Sequence, residues 1–163
     1  MTSHKNKLYY ISVSAFSALA LFLHMAALKL VYNSIGLLLK ANGESHKVRE
    51  EISVQVDNLK RYSNYCTNLF YLISYLFLIF IGFMLIARKI KLKMYLHGFL
   101  LFEIIQVAGL SLFIQIFNKY ELTEGFGRLR VILRHELFWA MLIIPIIIYL
   151  GYGLKKKQNH ISS

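Results

Sequence analysis

The stretch TNLFYLISYLFLIFIGFMLIA (67–87), RKIKLK (88–93), MYLHGFLLFEIIQVAGLSLFIQIF (94–117) decides the fold. Two continuously apolar runs flank a short basic link. Each run is long enough to cross a hydrocarbon layer of about 30 Å, which takes about 20 helical residues. In lipid the backbone must satisfy its own polar groups, so both runs are read as helices. A membrane β-barrel would alternate apolar and polar positions, and these runs do not. The basic link marks the turn of a membrane hairpin.

Working outward, two further runs have the same character, 8–28 and 137–154. The fold class expected is all-α: an integral membrane four-helix bundle forming a single domain over 1–163, with outer loops at 40–66 and 118–135. Composition agrees. The chain of 163 residues is 57% hydrophobic, with a net charge of +11 and a single proline, and its mean hydropathy is +0.52. A water-soluble domain this small could not hide that much apolar surface. A secreted disulfide scaffold is excluded too, because Cys66 is the sole cysteine.

Run 8–28 is longer than a signal-peptide core and is read as a retained span. Orientation follows the basic residues. The pieces 1–7, 88–93 and 155–163 hold Lys5, Lys7, Arg88, Lys89, Lys91, Lys93 and Lys155 to Lys157, with no acid. The other loops mix their bases with Glu44, Glu50, Glu51, Asp57, Glu121 and Glu124. The positive-inside rule therefore places both termini in the cytoplasm. Tyr9, Tyr10, Tyr95, Tyr149 and Tyr152 are expected at the inner interface, and Tyr62, Tyr65, Tyr71, Tyr120 and Trp139 at the outer one.

Within loop 40–66, Val48, Ile52, Val56 and Leu59 recur at helical spacing. They predict a short amphipathic helix lying on the outer membrane surface, either capping the bundle or docking a partner. Segment 30–39 is still apolar. Joined to the first span it makes about 48 Å of helix, so a strong tilt, or a bend near 33–36, is expected.

Candidate chemistry is sparse. His24, His97 and His135 raise the question of a haem, which needs two ligands at one depth on facing helices. Only His24 and His135 are roughly level. The pattern Arg130-Val131-Ile132-Leu133-Arg134-His135 resembles a ribonuclease spacing, but it abuts the membrane, and no nucleic-acid partner is expected. Gly125 and Gly127 allow a turn but lack the preceding strand of a phosphate-binding loop. Glu103, Gln106 and Gln115 are the intramembrane polar residues. Glu103 is read as a protonated helix-to-helix contact. Its partner would be Tyr75 or the Met141 carbonyl, which Pro145 deprives of its usual donor; a proton relay is the alternative. Ser14 with Ala18, and Ala108 with Ser111 and Gln115, form small-residue faces suited to close packing, either inside the bundle or at an external interface. There is no Ser/His/Asp set, no paired carboxylates and no multi-Cys metal site. The expectation is a non-enzyme with no cofactor and no metal, one that binds or blocks something.

Tyr120-Glu121-Leu122-Thr123 after the third span, the Tyr65-Cys66-Thr67 entry to the second, the Arg88 to Lys93 cluster and the Leu154-Lys155-Lys156-Lys157-Gln158 ending together resemble the immunity proteins of pore-forming colicins. The colicin A, B and N type is the nearest group. The likeness runs over roughly 58–158. At one point the chain differs: Thr67 is followed by Asn68 and Leu69, where the family often has Thr-Ala-Pro. The resemblance implies a multi-pass protein of the bacterial inner membrane. It would bind the toxin's pore-forming domain as its hydrophobic hairpin enters the bilayer, and so prevent channel opening. Tyr120, Glu121, Leu122 and Thr123 would then be structurally important, with Arg128 and Arg130 as specificity determinants. Oligomeric state is left open. The alternatives are a four-helix membrane enzyme of the glutathione or lipid-transferase type, or a structural subunit of a membrane complex.

Overall fold

The computed structural model describes residues 2–117 and 135–161, with side chains over 6–116 and 135–154. The expected site residues Tyr120, Glu121, Leu122, Thr123, Arg128 and Arg130 lie outside the described residues. The described residues form four helices: α1 (Thr2–Ala41), α2 (His46–Ile86), α3 (Leu92–Phe117) and α4 (Glu136–Ile161). No strand occurs among the described residues. All four helices are long and apolar enough to cross a membrane, and the chain is a multi-pass membrane protein.

The first two helices are longer than their apolar runs. α1 has 40 residues and α2 has 41, which makes each about 60 Å long, roughly twice the thickness of the hydrocarbon layer. Val48, Ile52, Val56 and Leu59 therefore do not form a separate surface helix. They belong to the first turns of α2, and only 42–45 link the two helices. Gly43 takes a φ of 101° in that link, a left-handed conformation that glycine adopts without a Cβ clash. Nor is α1 interrupted at 33–36; its helical hydrogen bonding continues to Ala41.

Packing explains the continuity. α1 buries Val13, Ser17, Ala20, His24 and Ala27, a seam that alternates steps of four and three, and then Ser34 a further seven residues on. α2 buries Val56, Ser63, Phe70 and Phe77, one side chain every seven residues. This is the repeat of an antiparallel coiled coil. Its small residues bring the backbones close, and the Ser63 hydroxyl donates to the Ala27 carbonyl at 3.0 Å. The seam keeps its phase from the apolar half of α2 into the charged half, so the helix keeps its partner after leaving the hydrocarbon.

The remaining helices flank this hairpin. α3 runs alongside α1, and α4 packs on α2. The α1–α3 approach depends on glycines: a Cβ at Gly98 would collide with the Tyr9 hydroxyl, and one at Gly109 with Leu21. The α2–α4 approach uses Gly82, where a Cβ would lie 2.8 Å from Pro145 Cγ. α3 and α4 meet near the end of the bundle that carries the 87–91 turn. There Tyr95 Oη donates to the Leu142 carbonyl at 2.7 Å, and the Phe99 and Phe138 rings lie 6.0 Å apart. We call this the proximal end and the 42–45 link the distal end. The main core lies towards the proximal end, around Tyr9, Val13, Phe77, Ile81, Leu85 and Tyr95.

Three aromatic residues differ from the expected belts. Tyr9 and Tyr95 are core residues, 2% and 0% exposed, not an interfacial belt. Each spends its hydroxyl on a backbone carbonyl, that of Met94 for Tyr9 and that of Leu142 for Tyr95. Trp139 is not level with Tyr65. His135 bonds Tyr75, which lies about 15 Å along α2 from Tyr65, and Trp139 follows one turn deeper.

Candidate functional site

The distal end carries a large opening. Leu28, Tyr32, Leu110 and Phe113 form a small second core where α1 and α3 last touch. The Tyr32 and Phe113 rings stand 6.3 Å apart. Beyond this pair α3 ends at Phe117, whereas α1 continues to Ala41. A cleft of about 950 Å³ lies between α1, α2 and the last turn of α3. Leu37, Leu59, Phe113 and Ile116 give it apolar walls; Lys29, Asn33 and Lys40 give it polar and cationic ones. Gly36 keeps the α1 wall low. The cleft can take an apolar segment that carries an acidic group. Its described lining residues include no carboxylate, histidine or cysteine.

Below the cleft, the polar residues inside the spans serve mainly the bundle itself. Gln106 is fully buried, and its Nε2 donates to the Ser17 carbonyl at 2.9 Å, tying α3 to α1. Its Oε1 has no hydrogen-bond partner among the described residues. Glu103 is half-buried on α3. Neither partner expected for it is the one its neighbours take. Tyr75 meets His135 Nδ1 at 3.1 Å. The α4 carbonyl held across the helix gap is that of Leu142, and its donor is Tyr95. Gln115 is exposed near the distal end of α3.

The histidines do not converge. His24 is buried with its ring 4.4 Å from that of Phe70, between α1 and α2. His135 stands exposed at the start of α4 against Tyr75, and His97 is exposed near the start of α3. Among the described residues no group of three or more His, Cys, Asp or Glu side chains could hold a metal ion. Cys66 is a half-buried free thiol.

The small-residue faces read from the sequence point outward. Ser14, Ala18 and Ala108 are exposed, and Ser111 is half-exposed. Close approach inside the bundle comes instead from Gly98 and Gly109, eleven residues and about three helical turns apart on one side of α3. That spacing was the available signal for the α1-facing side. The cleft residues carried no comparable signal, because they come together from three helices far apart in the sequence.

No family model matches the chain, and comparison with curated proteins and with solved structures finds no match either.

Proposed function

We propose that this protein is a bacteriocin immunity protein of the colicin A, B and N type, acting by binding rather than by chemistry. It would hold the membrane-inserted pore-forming domain of one toxin and keep its channel closed. The observation that carries the reading is the distal cleft, taken with the residues that resemble the immunity family. With the termini in the cytoplasm, the distal end lies on the outer side of the inner membrane, where an entering toxin arrives. An apolar toxin helix can lie against Leu37, Leu59 and Ile116, and an acidic group on it can meet Lys29 or Lys40. Arg128 and Arg130, in the connection that leads away from α3, are proposed to select among toxins.

The test is protection of living cells. The protein is expressed in a sensitive enterobacterial strain, pore-forming colicins of the three types are delivered singly, and potassium efflux is followed. Efflux should be suppressed for one toxin and unchanged for the others. Killing by a nuclease colicin that uses the same receptor should be unaffected. Efflux from every toxin, with the protein verified in the inner membrane, would refute the proposal and favour an enzyme or a complex subunit.

A further inference from the structure

The proximal end has a second opening, and its chemistry differs from that of the cleft. α2 ends at Ile86 and the chain reverses through 87–91. The Arg88 and Lys89 amides fold back onto the Leu85 and Met84 carbonyls, at 3.0 and 2.9 Å. Arg88 takes a φ of 53°. Glycine usually fills this helix-terminating position, because a side chain there is disfavoured. Here an arginine stands in it, and its guanidinium carbon lies 5.8 Å from the centre of the Tyr152 ring on α4. Ile90 then turns inward and is 5% exposed, which leaves Arg88 and Lys91 on the outside of the turn.

Between this turn and the end of α4 lies a cavity of about 500 Å³. Arg88, Ile90 and Lys91 of the turn line it together with Tyr149, Leu150 and Leu154 of α4. Among the described residues no acidic side chain borders it. At Gly153 a Cβ would meet nothing within 4 Å, so the absence of a side chain there leaves the space open. The position matters as much as the lining. The basic pieces 88–93 and 155–163 adjoin the cavity in sequence, and such clusters sit at the cytoplasmic edge of the hydrocarbon, where lipid phosphates lie. Leu150 and Leu154 are both exposed to the surrounding membrane.

We infer that this cavity binds an anionic phospholipid, phosphatidylglycerol in the first instance. The phosphodiester would lie between Arg88 and Lys91, with one acyl chain along Leu150 and Leu154. The cation–π contact with Tyr152 directs the guanidinium towards α4 and leaves its N–H groups for phosphate oxygens. Lys91 adds a second cation without a bidentate requirement. Phosphatidylethanolamine is a poorer ligand, because its own ammonium cancels the charge these residues recognise. The apolar wall distinguishes a lipid from a soluble phosphate, which gains nothing from Leu150 or Leu154.

The test is native mass spectrometry of the full chain released from micelles, titrated with phosphatidylglycerol or phosphatidylethanolamine of identical acyl chains. Phosphatidylglycerol should bind about fivefold tighter, and each cation removed should cost about fivefold, as expected for one charge near a membrane surface. Arg88→Gly is the informative variant: glycine suits the left-handed turn, so the fold is retained while the guanidinium is lost. Gly153→Leu keeps every charge but fills the acyl slot, and should weaken phosphatidylglycerol by a comparable factor. Lys47→Gln, at the distal end, should change nothing. Equal affinity for the two lipids, or binding indifferent to Arg88→Gly or to Gly153→Leu, would overturn the site. Full displacement of the lipid by millimolar inorganic phosphate would show a soluble-anion site instead and would equally refute it.

Discussion

Replacing Tyr95 by Phe tests how α4 is held to the rest of the bundle. Tyr95 is fully buried, and its hydroxyl donates to the Leu142 carbonyl at 2.7 Å. Pro145 lies one turn further along α4 and has no N–H, so the α4 backbone here already lacks a donor for Met141. Tyr95→Phe keeps the ring and its packing and removes one interhelical hydrogen bond. Such bonds in membranes average about 0.6 kcal/mol and reach about 1.7. With a short bond and a fully buried donor, about 1 kcal/mol is expected, close to a fivefold change in the unfolding constant. Trp139 is the only tryptophan and sits on α4 beside Phe138, so its emission reports α4 docking directly. Unfolding in mixed dodecylmaltoside and dodecylsulfate micelles, followed at Trp139, should show the loss with an unchanged baseline spectrum. Tyr95→Ala, which also empties the ring's volume, should cost about 3–5 kcal/mol. A Tyr95→Phe protein as stable as the parent would show that the hydroxyl does not bridge α3 and α4, and the account of α4 docking would fail.

Other substitutions separate structural roles from recognition. Gln106→Leu removes one hydrogen bond to Ser17 but also a buried carbonyl oxygen without a partner; stability should move by less than about 1 kcal/mol, and protection against the cognate toxin should persist. Abolished protection with an intact fold would instead place Gln106 at the toxin. Gly109→Leu should force α1 and α3 apart at Leu21 and cost about 1–3 kcal/mol or more in the same micelle titration, whereas Gly151→Leu, where a Cβ meets nothing, should be near neutral. Gly36→Trp fills the distal cleft from its exposed side; the protein should fold with wild-type yield but give no protection in the potassium-efflux assay, and undiminished protection would remove the cleft from the mechanism.

Several features were readable because each depends on a short segment. The spans 67–87 and 94–117, and the basic turn between them, follow from hydropathy and length. The helices end at Ile86 and begin at Leu92, close to those readings. Loop 40–66 was misread for a physical reason. Lys47, Arg49, Glu50, Glu51 and Asp57 lower the hydropathy, so a reading based on lipid solubility stops the span near Thr67. A helix needs only its own hydrogen bonds and a packed face, and the seven-residue repeat at Val56, Ser63, Phe70 and Phe77 supplies that face on both sides of the membrane edge. The partner expected for Glu103 failed because depth along a helix does not specify its rotation. Tyr75 turns to α4 and His135 rather than to α3.

By itself, the sequence determined that the chain is all-helical, that it crosses a membrane four times, and where its basic ends lie. Those properties follow from the transfer of side chains and backbone into lipid, residue by residue. Only the tertiary structure decided that α1 and α2 form one long hairpin, that α3 lies on α1 while α4 lies on α2, and that Gly98, Gly109 and Gly82 set those approaches. It also decided that both cavities lie at the ends of the bundle. Which faces meet depends on the simultaneous fit of several helices inside a solvent as apolar as they are. There hydropathy no longer distinguishes inside from outside, and shape complementarity and a few hydrogen bonds settle the arrangement.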